Sequence, residues 1–143
     1  VAAKNRAQES GDESSAIQLS DGTMITAGSS PLLGTCASLL LNSIKHLAGI
    51  DHSVKLISQD FIEPIQKTKV DYLGGNNPRL HMDEVLVALS VLSLNDVNCR
   101  RALAMLPELN GLQAHATVTL SQVDQKILKK LGISLTCDPA SKK

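Results

Sequence analysis

The segment Gly74-Gly75-Asn76-Asn77-Pro78-Arg79-Leu80-His81-Met82-Asp83-Glu84 gathers one guanidinium, one imidazole and two carboxylates into the densest polar cluster of the chain. Arg79 and His81 stand two apart, so from an extended segment they point the same way and could grip a carboxylate or phosphate. His81 could also exchange a proton. Asp83 would complete such a site. Turn and helix physics accounts for much of the rest, since Asn77-Pro78 favours a turn and Asp83-Glu84 supplies the negative first turn of a helix. Arg79 and His81 are what remains, and they match no reaction signature.

Two further places carry suitable side chains. The junction Thr26-Ala27-Gly28-Ser29-Ser30 offers hydroxyls and free backbone N–H groups at a helix start. Such a start can cradle an anion, although ordinary capping explains Ser29 and Ser30 as well. His115 lies on the polar side of an alternating stretch, beside the hydroxyls of Thr117 and Thr119, with no activating base at fixed spacing. His46 and His52 read as structural or solvated. Cys-x-x-Cys, His-x-Glu and His-Glu-x-x-His are all missing from the sequence, so no metal site is expected and no cofactor is implied.

Those residues need elements to hold them. Ile17–Ser20 and Thr23–Thr26 flank Asp21-Gly22, which predicts a hairpin closed by a two-residue turn with positive φ at both positions. Ser30-Pro31 predicts the start of a buried helix running to about Ala48 and ended by Gly49. Val54–Ser58 reads as a short strand, followed by a helix from Phe61 to Leu73 capped by Asp60, with Pro64 in its first turn. A very apolar helix spans Asp83 to Leu94, and a third, capped by Asn98, runs to Leu106. Leu112 to Leu120 alternates as a half-buried strand. A helix capped by Ser121 and stopped by Gly132 follows, then a strand from Ile133 to Cys137, making a strand-helix-strand unit with parallel strands. This order predicts a layered α/β sandwich. Residues 1–15 read as a linker or the end of a preceding helix, 16–138 as a single α/β domain and 139–143 as a frayed tail.

Bulk properties narrow the function. The 143 residues suit one domain, and fourteen basic side chains balance fourteen acidic ones. A neutral balance without a basic stripe argues against a nucleic-acid binder, and Phe61 and Tyr72 are too few for base stacking. No apolar run is long enough to span a membrane. Three widely spaced cysteines without a secretion signal fit buried free thiols in a reducing cytoplasm. The start at Val1, without Met, fits a piece of a longer protein.

Several ordered stretches carry a family resemblance. They include Arg6-Ala7-Gln8-Glu9-Ser10-Gly11, Leu19-Ser20-Asp21-Gly22, Ser30-Pro31-Leu32-Leu33-Gly34 and Lys45-His46-Leu47-Ala48-Gly49-Ile50-Asp51. Further on come Ile62-Glu63-Pro64-Ile65-Gln66, Asn77-Pro78-Arg79-Leu80-His81-Met82-Asp83-Glu84-Val85-Leu86 and Lys130-Leu131-Gly132-Ile133-Ser134-Leu135-Thr136-Cys137. In these the chain resembles the C-terminal portion of the bacterial family known as domain of unknown function 1846. The resemblance implies a three-layer α/β/α sandwich with a mixed sheet, of a topology similar to cytidine deaminases. The deaminase zinc motif is not present, so the deaminase reaction is not implied. A peptidase label given to some members finds no support in these residues. The resemblance also implies Gly-Lys-Thr-Ser ahead of Pro31. This chain has Ala27-Gly28-Ser29-Ser30 there, without the lysine of a phosphate site.

Two readings follow. In the first, the chain is the C-terminal α/β subdomain of a longer protein and provides packing and interdomain or subunit contacts, with a homo-oligomer as one form. In the second, Arg79 and His81, with Asp83, Ser29, Ser30 and His115 in reach, line a shared cleft for a small anionic or nucleotide-like ligand.

Overall fold

The computed structural model describes residues 13–138; the outer parts of the expected linker and the expected tail, residues 1–12 and 139–143, lie outside them. The chain forms β1 (Ser14–Gln18), β2 (Met24–Gly28), α1 (Thr35–Leu47) and α2 (Gln59–Lys67). A π turn (Thr68–Tyr72), α3 (Met82–Leu92), α4 (Val97–Leu103) and a 3-10 turn (Leu106–Leu109) come next. β3 (Gln113–Ala116), α5 (Gln122–Lys130) and β4 (Ser134–Cys137) complete the order. It is a mixed α/β fold around a sheet of four strands in the order β2-β1-β3-β4. β1 is antiparallel to both neighbours, while β3 and β4 are parallel, as the strand-helix-strand pattern predicts.

Period-two alternation sorts the strands into two faces. Ile17, Ala27, Ala114 and Ala116 join one core with Ile44, Ile62, Val85, Leu89, Cys99 and Leu128 from the five helices and with Leu80 from the segment ahead of α3. Ala16 is buried yet belongs to the opposite face, beside Gln18, Gln113, His115 and Thr136. No described helix has a buried apolar residue outside the core of the first face.

Local signals misplace several boundaries. The hairpin connection has three residues, Ser20-Asp21-Gly22: the Leu19 N–H donates to the Thr23 carbonyl, and only Gly22 has positive φ. Asp21 instead accepts from the Thr23 N–H. The helix does not begin at Ser30-Pro31. The Ser30 hydroxyl accepts from the Leu32 and Leu33 N–H groups, and Leu33 pairs with Leu80 in a parallel bridge, so tertiary pairing keeps this stretch extended as far as Gly34, the N-cap. Val54–Ser58 is not a strand. Leu56 and Ile57 are both buried without alternation, and the carbonyls of Val54 and Leu56 accept from Lys45 and Cys99 side chains.

α2 starts two residues early, at the Ser58 N-cap, which puts Pro64 in the second turn, where the ring withholds an N–H from the ladder. Asp96, not Asn98, caps α4, accepting from the Asn98 and Cys99 N–H groups. That helix ends at Leu103, ahead of the turn that holds Pro107. The alternating stretch 112–120 pairs as a strand only over Gln113–Ala116, opposite Ser15–Gln18 of β1 and Ser134–Cys137 of β4.

Candidate functional site

β2, β3 and β4 run one way and β1 the other, so Gly28, Ala116 and Cys137 end at one edge of the sheet. In open α/β sheets ligands gather outside the carboxyl ends of parallel strands. Ser29 and Ser30 leave β2 at this edge. Asp138 follows β4 there, and Thr117 follows β3, its hydroxyl accepting from the Ser14 N–H at 3.0 Å.

Three helix starts converge on the same edge. Leu80 donates its N–H to the Leu32 carbonyl and accepts from the Gly34 N–H, tying the approach to α3 against the approach to α1. The buried Asp124 carboxylate, in the first turn of α5, accepts from the Met82 N–H at 3.0 Å. Asp124 thereby satisfies one of the unpaired N–H groups at the start of α3. Ser121 caps α5 itself by accepting from the Asp124 N–H, as the sequence predicts.

The Arg79–Glu84 cluster takes a definite form. His81 is the N-cap of α3, and its N–H donates to Glu84 Oε1 at 2.8 Å. Its Nδ1 stands 3.4 Å from the same oxygen. Lys69, from the π turn, donates to that carboxylate at 2.9 Å and to the Arg79 carbonyl at 2.6 Å. Burial works against ionisation of Glu84, but the His81 N–H and the Lys69 ammonium outweigh it and hold its pKa below the ordinary value. Arg79 keeps only backbone bonds, and among the described residues its guanidinium has no ion-pair partner. Asp83 is exposed at the end of a groove between α2 and α3. The bridge at Leu33 and Leu80 makes the segments of Ser29, Ser30, Arg79 and His81 neighbours, but no hydrogen bond or ion pair joins these side chains.

His115 lies apart, on the opposite sheet face. Its Nδ1 is 2.7 Å from Thr136 Oγ1 and its Nε2 is 2.9 Å from Asp138 Oδ1. A hydroxyl, an imidazole and a carboxylate in hydrogen-bonded series could pass a proton. Among the described residues, no group of three His, Cys, Asp or Glu side chains is placed to hold a metal ion. Cys36 and Cys99 are buried free thiols and Cys137 is half-buried and free. Burial, reinforced by the Asp124 carboxylate, pushes the Cys36 thiol far up; burial and Asp96 raise Cys99 to about 11.

The family described as "Domain of unknown function DUF1846, C-terminal" matches residues 1–143. The chain belongs to this family. A UPF0371 protein of Corynebacterium aurimucosum is 52% identical over 137 residues, which cover 96% of this chain and 28% of that protein. A UPF0371 protein of Streptococcus thermophilus is 44% identical over 97% of the chain, again 28% of its own length. One of Corynebacterium diphtheriae is 50% identical over 90% of the chain and 26% of its own length. The chain thus spans little more than a quarter of the curated relatives it matches, and their names state no activity.

For this member of the DUF1846 family the sequence locates the polar loop and the serine junction, but not the groups that complete them. Asp124 is visible only as a capping residue of its own helix. Lys69 lies ten positions before Arg79. Thr136 and Asp138 meet His115 only through the parallel register that sets His115 opposite Thr136. The i, i+2 spacing of Thr136 and Asp138 on one strand face is the signal that could have paired them with a histidine on the next strand.

Proposed function

We propose that this chain is a contact subdomain, packing on the remainder of a longer protein through the outward side of α3. One observation carries the reading. α3 carries apolar residues on both its inner and outer sides: Met82, Val85, Ala88 and Leu89 enter the core, whereas Val87 and Val91 are 66% and 53% exposed, and Leu94, just past the helix end, is 75% exposed. A helix apolar on every side is normally buried on every side. Beside it, Phe61 and Ile65 of α2 line a shallow apolar groove with Val87, Ala88 and Val91. A patch of this kind marks an interaction surface. Relatives more than three times as long support the rest of the same polypeptide as its occupant. In the same reading, a second helical layer on the face of Gln18, Gln113 and Thr136 comes from chain outside residues 13–138, giving the three-layer, deaminase-like arrangement. The free thiols support a cytoplasmic setting.

Thermal unfolding of the full-length protein tests the packing. Val87→Glu with Val91→Glu leaves this chain's own core intact, so it should uncouple a low-temperature transition and expose the junction to protease. An unchanged single transition would overturn the reading. A wild-type dimer that becomes monomeric in the variant assigns the face to a second copy instead.

The convergence of three helix starts at the carboxyl edge favours a second reading. Arg79, without an ion-pair partner and two positions from His81, then binds a small anion in a cleft shared with the rest of the protein, on the side of Ser29 and Ser30. Thermal shift of the full-length protein with nucleotides and phosphate checks this. Stabilisation retained in both Arg79→Ala and His81→Ala removes the two residues from any site.

A further inference from the structure

A cleft along α1 shares Ser30 with the second reading but takes in neither Arg79 nor His81. Ser38, Leu41, Asn42 and Lys45 recur at helical spacing and form one wall, and Lys55, Ile57 and Gln59 face them. Its volume is about 270 Å³. Leu41, Leu56 and Ile62 supply an apolar floor, and no carboxylate lines it. Asn42 and Lys45 also wall a second hollow, of about 390 Å³, that opens toward His46 and His52.

The electrostatics of this cleft are unbalanced. Lys45 is only 8% exposed, yet no carboxylate pairs with it. Its ammonium donates to the His52 and Val54 carbonyls at 2.9 and 2.7 Å. An ammonium has three N–H donors, and the third meets no protein acceptor. Burial, and then the nearby Lys55 ammonium, lower the Lys45 pKa, with Asp51 opposing them. Buried charges are ordinarily paired. Two like charges sharing one hollow are what a bound anion would neutralise.

We propose that this cleft binds a small organic anion, its carboxylate or phosphate head between Lys45 and Lys55 and its short apolar body against Leu41, Leu56 and Ile62. Asn42 keeps its side-chain carbonyl free, since its amide donates to the Thr26 carbonyl, so a hydroxyl beside the head has an acceptor. The Ser38 hydroxyl has no protein partner and is available to the head itself. Neither the contact reading nor the Arg79 reading is needed for this inference.

Isothermal titration of the full-length protein in phosphate-free buffer, with hexanoate, hexyl phosphate and uncharged hexanol, tests it. One or both anions should bind with sub-millimolar Kd, and hexanol at least about tenfold more weakly. Which anion binds tells carboxylate from phosphate. Lys55→Glu should weaken that anion at least about tenfold, and Ser38→Met, which fills the cleft from its wall, should abolish binding. Lys55 is exposed and Ser38 unpaired, so both variants should melt, unliganded, like wild type. No anion binding, equal binding of hexanol, or affinities unchanged in both variants would overturn the proposal.

Discussion

Glu84 gathers more of the nominated loop than either residue that first drew attention to it. One carboxylate oxygen accepts from the His81 N–H and the Lys69 ammonium, closing half of a capping box and anchoring the π turn to α3. Glu84→Ala should cost about 1–2 kcal/mol, and Glu84→Gln, which keeps an acceptor but loses the charge, about 0.5–1.5 kcal/mol. Because the folded pKa is depressed, this contribution is complete above the unfolded value of about 4.3 and fades as pH falls through the folded one. Urea unfolding of wild type and Glu84→Gln should therefore differ by a constant amount from pH 7 to about pH 5, and the gap should close below that. A gap still intact in strong acid would show that charge is not what Glu84 contributes. His81 was legible as a polar residue at a helix start. Its role as the N-cap, backbone to Glu84, is what a histidine two positions from an arginine conceals.

At the scale of elements, endings were easier to read than beginnings. Gly49 and Gly132 end α1 and α5 with φ of 70° and 82°, and in each case the next N–H returns to a carbonyl in the last turn, Ile50 to Lys45 and Ile133 to Leu128. A glycine after an apolar helix announces this geometry, because a side chain resists positive φ. Gly132 is the tighter of the two, since an added Cβ would run into the Asn110 side chain. Gly132→Ala should lower stability by about 1–2 kcal/mol from backbone strain and crowding together. Asn110→Gly in the same chain should recover the crowding part but not the strain, as chemical unfolding of both variants would show. Gly49→Ala, which meets only the end of the Arg101 side chain, should show the strain alone. Beginnings failed where a remote partner decided them. Ser30-Pro31 has every local mark of a helix start, but Leu80, fifty residues away in sequence, holds the segment extended.

Across the whole molecule, the core joins every helix to one face of the sheet, and the thiols report on it from different depths. Cys36 and Cys99 lie inside that core, with raised pKa values, while Cys137 sits at the end of β4. A thiol reagent at neutral pH should label Cys137 in the native protein. Cys36 and Cys99 should react only through opening of the whole core, at a rate that follows global stability. Labelling of Cys99 while Cys36 stays protected would instead reveal separate opening of α4 and the irregular 54–58 segment beneath it. The described residues contain no helix long and apolar enough to cross a membrane.

The sequence alone determined what short-range chemistry controls. The hairpin, the strand-helix-strand unit with its parallel pair, the buried helix α1 and the family were all readable from turn residues, periodicity and ordered motifs. Tertiary structure decided what depends on partners far apart in the chain: the bridge of Leu33 to Leu80, the Asp124 carboxylate on the start of α3, the pairing of His115 with Thr136 and Asp138, and the buried Lys45 in its cleft. The division has a physical cause. A turn or a helix end minimises its energy within a few residues, whereas a buried charge or an unpaired N–H group takes whatever acceptor the fold brings near, at any distance in sequence.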